Sequence, residues 1–171
     1  REALDLLEER HTPTDPEWLV WHSGCLRARA YEQAGERAAA IAELEQLVAQ
    51  SASFVDNERL PVQLELQARV VPLFYAEGKT ALAQEAGESC RQILAAQNWS
   101  AARPARVARA LGFAAAVEAR YGGAETASEL FTKALALGRV AGRRELVQGT
   151  LNELAIFYAG RQKWSAALRV F

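Results

Sequence analysis

Residues Leu151–Phe171, "LNELAIFYAGRQKWSAALRVF", place small and aromatic side chains at helical intervals. Ala155 and Tyr158 are three residues apart, so they share one helix face. Ala167 and Phe171 are four residues apart and also share a face. The segment between the two pairs, "GRQK", has the composition of a turn. The stretch therefore predicts a helix, a short turn and a second helix that returns antiparallel to the first.

The same layout recurs upstream in three further stretches, namely "RARAYEQAGERAAAIAEL", "RVVPLFYAEGKTALAQEAG" and "AAAVEARYGGAETASELFTKAL". Alignment of the four turns at positions 35, 78, 122 and 162 gives steps of 43, 44 and 40 residues. Gly35, Gly78 and Gly122 suit a helix C-cap, where a left-handed backbone is favoured. Gly87 stands where the other copies have a large apolar residue, which makes the second copy the weakest. Because one helical pair cannot cover its own apolar face, the pairs are expected to stack.

Composition supports an all-helical domain and excludes several functional classes. Half of the 171 residues are apolar, 24% are charged, and the formal net charge is −1. This balance fits neither a disordered acidic tail nor a basic nucleic-acid binder, so we expect no direct binding of nucleic acid. Strong helix formers dominate and β-branched residues are sparse, which predicts an all-α fold. No apolar run approaches the ~20 residues that span a bilayer, so we expect no membrane association.

We expect a single domain of about four repeats with partial ends. Residues 16–53, 58–97, 101–141 and 143–171 form the predicted repeats, the last one incomplete, and residues 1–11 form the second helix of a preceding repeat. Since the chain lacks methionine and both ends fall within a repeat, we expect further repeats or domains of the same chain at both ends. Leu168 and Phe171 should then present an apolar surface. Ser100 is the predicted cap of the third repeat, and Pro72 is expected to kink the helix that contains it.

The closing stretch resembles a tetratricopeptide (TPR) repeat. Its signature residues match Leu154, Ala155, Tyr158, Trp164, Ala167 and Phe171. The usual TPR period is about 34 residues, and the longer period here resembles that of the kinesin light chain. It also resembles the sensor region of large bacterial transcription activators of the maltose-regulator type. The resemblance implies a right-handed α-α superhelix in which Tyr158 and Trp164 are packing residues.

In TPR-like arrays the first helices line a concave groove that binds a peptide, a protein or a small effector. Carried over to this sequence, the groove positions with polar or aromatic side chains are His22, Arg29, Gln33, Glu65, Tyr75, Arg109, Arg120 and Asn152. Arg29, Arg109 and Arg120 would grip a carboxylate or phosphate. Alternatively, the arginines are solvated or pair with Glu32 and Glu65. The Lys and Asn pattern of the family's carboxylate clamp is absent, which disfavours binding of chaperone tails.

The sequence offers no candidate catalytic residues, metal site or cofactor site. His11 and His22 fall in neither a metal nor a triad spacing. Cys25 and Cys90 lie 65 residues apart, which fits two reduced thiols in a cytoplasmic protein. We therefore expect a non-catalytic interaction or effector-sensing module of a larger bacterial protein, and the resemblance implies a transcriptional regulator. The alternative is a generic scaffold that holds a partner peptide, and an enzyme would require a catalytic domain outside this segment.

Overall fold

The computed structural model of the chain describes residues 16–54, 56–96 and 102–170. Side chains are described for residues 21–54, 59–96 and 102–170. The predicted helix at 1–11, Ser100 and the side chain of Phe171 lie outside these residues. Every regular element in the described ranges is helical, so the all-α prediction is confirmed.

The described residues form eight α-helices and one short 3₁₀ turn, Ser51–Ser53, which follows the second helix. The helices are α1 Pro16–Ala34, α2 Arg37–Gln50, α3 Asp56–Ala76, α4 Thr80–Ala96, α5 Pro104–Tyr121, α6 Ala124–Val140, α7 Arg144–Gly160 and α8 Trp164–Leu168. The third continues through Pro61 and Pro72 without interruption.

The helices pack as consecutive pairs. α1 packs on α2, α3 on α4, α5 on α6 and α7 on α8. The first helices of adjacent pairs also pack on each other, α3 on α5 and α5 on α7. One continuous hydrophobic core joins α1 to α7. The predicted helix–turn–helix pairs are therefore present, and the first helices of the last three pairs lie side by side.

Burial follows the register that the turns define. Seven residues before the turn, all four pairs bury a small or β-branched residue, namely Ala28, Val71, Ala115 and Ala155. Five residues after the turn, the first three pairs bury an alanine, namely Ala40, Ala83 and Ala127. Nine residues after it, Leu44 and Phe131 are both 0% exposed. The small residue admits the neighbouring helix, and the large one fills the space beside it.

Two turns are as predicted and one is not. Gly35 and Gly78 have positive φ, of 80° and 71°, as a left-handed cap requires. At Gly122 the prediction is wrong, because φ is −126°. At this turn the Glu118 side chain extends toward the following residues, and its Oε2 accepts a hydrogen bond from the Gly123 N–H at 3.0 Å. A Cβ at Gly122 would collide with that oxygen, so a larger residue here would displace the carboxylate from Gly123.

The fourth turn places Gln162 in the left-handed region, with φ 58°. A side chain in that conformation costs roughly 1 kcal/mol, and glycine avoids the cost at some entropic loss. We expect Gln162→Gly to raise the free energy of unfolding by about 0.5 kcal/mol. Urea unfolding with Gln148→Gly, an exposed change inside α7, is the matched measurement. Gln148→Gly should lower the free energy of unfolding. If both changes lowered it, the left-handed conformation at position 162 would be contradicted.

The end of the described chain differs from the packing prediction. Tyr158 packs against the core, but Trp164, which was also predicted to pack, is 62% exposed. Leu168 is 80% exposed, as predicted for an apolar surface at this end. α8 has only five residues, and in the described part of the chain nothing lies over this face. α5 begins at Pro104 with Arg103 as its N-cap residue, so the prediction of Ser100 as the cap of this helix is wrong. None of the described helices combines the length and apolarity needed to cross a membrane.

Candidate functional site

The first helices α1, α3 and α5 bring charged and aromatic side chains together on one face. We call this group the first-helix cluster, and it consists of Trp21, Cys25, Glu65, Arg69, Arg106 and Arg109. Three guanidinium groups and one carboxylate thus meet beside a buried indole and a buried thiol. The cluster spans three consecutive pairs, so it depends on the stacking of the repeats.

The centre of the cluster is the ion pair between Glu65 and Arg109. Arg109 Nε donates to Glu65 Oε1 at 3.1 Å, and the two side chains are 29% and 3% exposed. A buried carboxylate is tolerated only when a partner offsets its desolvation. The pair therefore fixes α3 and α5 in one register, although an apolar pair of similar volume would serve stability as well.

Two arginines of the cluster, Arg106 and Arg109, lie over the ring of Trp21. The guanidinium carbons of Arg106 and Arg109 lie 4.9 and 5.9 Å from the ring centroid. This is cation–π geometry, and the indole beneath it is only 3% exposed. Among the described residues, Trp21 Nε1 is a buried donor without a hydrogen-bond partner. The ring of His22 lies beside it at 6.2 Å.

Arg69 extends the cluster toward the ends of α1 and α3. Its Nη2 lies 3.4 Å from Glu32 Oε1, and its guanidinium carbon lies 5.7 Å from the centroid of the Phe113 ring. Its side chain is 9% exposed. The guanidinium thus links a carboxylate on α1 to an aromatic ring on α5.

The two cysteines are inert thiols in this structure. Burial raises the pKa of Cys25 to about 12, and the Glu65 carboxylate adds to that effect, while Arg69 and Arg109 act in the opposite direction. Burial, followed by the charge of Glu118, likewise raises the pKa of Cys90 to about 12. Both thiols are therefore protonated at neutral pH, which argues against a cysteine nucleophile.

We expect neither cysteine of the native chain to react rapidly with Ellman's reagent at pH 8, because the reactive species is the thiolate. After unfolding in urea, both thiols should react, giving two equivalents per chain. The absorbance of the released thiolate follows the reaction. Rapid release of one or more equivalents from the folded chain would contradict the burial of these groups.

The structure separates the predicted groove residues into several groups. Glu65 and Arg109 meet in the first-helix cluster, with His22 at its edge. Arg29, Gln33 and Asn152 are exposed. Arg120 Nη2 lies 3.6 Å from Glu153 Oε2 in a solvent-exposed ion pair. Tyr75 stacks on Tyr121, with ring centroids 4.3 Å apart, away from the cluster.

Sequence reasoning missed Trp21, Arg69 and Arg106. The groove was assigned as one stripe along each first helix, but the face is wider than one stripe. Helical spacing could have revealed them, since Trp21 precedes Cys25 by four residues, Arg69 follows Glu65 by four and Arg106 precedes Arg109 by three. The contact between Trp21 and two arginines of α5 depends on tertiary packing, and no local pattern indicates it.

No group of three or more potential ligands in the described ranges is arranged to hold a metal ion. Comparison of the chain with family models, with curated proteins and with solved structures gave no match in any of the three. The TPR-like resemblance therefore rests on the repeat residues themselves.

Proposed function

We propose that the chain is a non-catalytic, TPR-like interaction module whose first-helix face binds an acidic segment of a partner protein. The observation that carries the proposal is the first-helix cluster, in which Arg69, Arg106 and Arg109 collect on one face. Guanidinium groups are the preferred donors to carboxylates because their fork matches both oxygens. A partner with several carboxylates complements this face.

The charge distribution favours an acidic ligand over a basic one. Among the described residues the cluster contributes three guanidinium groups, and the carboxylates of Glu65 and Glu32 lie within ion-pair distance of Arg109 and Arg69. Glu65 is 3% exposed, so it offers a ligand little accessible oxygen. The Arg69 and Arg109 side chains are already held against Glu32 and Glu65, so little side-chain ordering opposes binding.

The proposed superhelix gives this face its shape. If the four pairs form a right-handed array, the first helices line its concave side and the cluster lies in the groove. Packing of α3 on α5 and of α5 on α7 supports that arrangement. We further propose that the module belongs to a larger bacterial protein. In a transcriptional regulator the groove would take an effector, and in a scaffold it would take a partner peptide.

An array of 12-residue peptides that differ in net charge tests the proposal. We expect the chain to retain acidic peptides and to release them as salt rises, because screening weakens exposed charge contacts. Neutral and basic peptides should not bind. Equal retention of acidic, neutral and basic peptides would overturn the acidic-segment proposal. Binding of free phosphate or of small carboxylates, measured without any peptide, would indicate a small effector instead.

Two arginines of α1 provide matched variants. Arg29 lies one helical turn beyond Cys25, on the face of the cluster, whereas Arg27 pairs with Glu43 of α2 at 2.6 Å. Both are exposed and each replacement by serine removes one positive charge. Arg29→Ser should lower the affinity for acidic peptides about fivefold, which corresponds to roughly 1 kcal/mol of binding free energy. Arg27→Ser should leave that affinity nearly unchanged. Equal effects would mean that net charge, rather than this face, determines binding.

A further inference from the structure

A second candidate site lies between α4 and α5, and α3 also contributes to its wall. α2 packs on α3 and α6 packs on α7, but among the described helices α4 does not pack along α5 in the same way. A cleft of about 440 Å³ occupies the place of that contact. The second and third repeats are therefore joined mainly through their first helices.

The cleft is open because Gly87, which lies on its wall, has no side chain to fill it. Gly87 is nine residues after its turn, the position at which Leu44 and Phe131 fill the other described repeats. A Cβ built on Gly87 meets no atom within 4 Å, so the space beside it is empty. The wall continues through Ala83, Val71 and Val117, which makes this part of the cleft apolar.

A second departure from the repeat register faces the same cleft. Glu118 stands four residues before its turn, where the other three repeats have Tyr31, Phe74 and Tyr158. The backbone carbonyl of each of these residues accepts a hydrogen bond from the N–H of the residue just after the turn position. The N···O distances are 2.9, 2.9 and 3.0 Å, in that order. In the third repeat, the carboxylate of Glu118 accepts the equivalent N–H of Gly123. Turn capping thus accounts for Oε2, and Oε1 lies against Arg91, which lines the cleft together with Glu118.

The charge of the cleft is negative. Glu118 Oε1 lies 3.3 Å from Arg91 Nη1, and Arg91 Nε lies 3.0 Å from Glu88 Oε2. The half-exposed Arg91 guanidinium therefore pairs with two carboxylates, which leaves a net negative charge. The Glu118 side chain is only 6% exposed. A carboxylate has about four acceptor positions, so Glu118 has capacity for a further donor. Tyr75 and Tyr121, stacked at 4.3 Å, complete the wall with aromatic surface.

We propose that the cleft between α4 and α5 binds a small organic amine with an apolar body. The apolar body occupies the space that Leu44 and Phe131 fill in the sister repeats. The ammonium group donates to Glu118 beside the tyrosine rings, which attract cations. Two departures from the register, 31 residues apart in sequence, thus supply the two halves of one recognition site.

Phenethylamine is a suitable probe, because its phenyl group matches the side chain of Phe131 and its amine is protonated at pH 7. Titration calorimetry should give a Kd of about 1 mM or tighter, the range expected of a ligand of roughly ten non-hydrogen atoms. 2-Phenylethanol, which has the same body without the charge, should bind at least tenfold more weakly, and 3-phenylpropionate should not bind. Absence of phenethylamine binding at about 10 mM, or equal binding of the alcohol, overturns the proposal.

Two variants locate the binding. Gly87→Leu restores the residue type of Leu44, and it should abolish phenethylamine binding without lowering the melting temperature, since leucine also favours the helix. Glu118→Gln retains an acceptor for Gly123 and should remove the preference for the amine over the alcohol. Unchanged phenethylamine affinity in folded Gly87→Leu would overturn the proposal. An unchanged preference for the amine in Glu118→Gln would do so as well.

Discussion

Replacement of Phe131 by alanine is expected to lower the free energy of unfolding by about 3–5 kcal/mol, the range for a buried aromatic truncated to alanine. Phe131 is 0% exposed, and its ring centroid lies 5.8 Å from that of Phe157 on α7. It therefore fills the junction between α6 of one repeat and the first helix of the next. Its loss leaves a cavity that helices held at both ends by turns cannot close.

Urea unfolding followed by circular dichroism measures this change. Val140→Ala is the matched control, since Val140 lies on the same helix but is 76% exposed. The control should change stability by less than about 0.5 kcal/mol. If Phe131→Ala and Val140→Ala had similar effects, Phe131 would not be the residue that joins the third and fourth repeats.

The second large effect concerns the ion pair of the first-helix cluster. Glu65→Gln should cost about 2–3 kcal/mol, because it leaves the Arg109 guanidinium without its carboxylate in a largely buried site. The loss is below the usual 3–5 kcal/mol for a fully buried pair because the Arg109 side chain is 29% exposed and keeps some hydration. The double change Glu65→Leu with Arg109→Leu should recover most of the loss, since neither charge remains to be desolvated.

Glu153→Gln provides the control for this experiment. Glu153 pairs with Arg120 at 3.6 Å, but the side chains are 40% and 52% exposed, so the change should cost less than about 0.5 kcal/mol. Urea unfolding of the three variants and of the unaltered chain gives the comparison. A double variant as unstable as Glu65→Gln would show that the pair contributes through its shape rather than through its charge.

The repeat architecture could be predicted from the sequence because its signals are local. Small residues and turn glycines recur at helical spacing, and Ala28, Ala40 and Leu44 are buried as the register requires. The turn at Gly122 could not be predicted, because its geometry depends on a side chain, Glu118, that replaces a backbone acceptor. A glycine required for close approach and a glycine required for positive φ look the same in sequence.

The candidate site was predicted only in part for a similar reason. Glu65 and Arg109 were expected on one face, and the structure pairs them. Trp21 contacts arginines of α5, more than 80 residues away, and such contacts depend on how repeats stack. Gly87 was recognisable as a departure from the repeat, but the cleft it opens appears only once α4 and α5 are placed.

Amide chemical-shift mapping with the best acidic peptide from the array tests the claim that the first-helix face binds acidic segments. We expect the largest shifts on α1, α3 and α5, around Cys25, Arg69 and Arg109. Amides of the outward faces of α2 and α6 should be unaffected. Shifts concentrated on those outward faces, with none around the cluster, would contradict the claim.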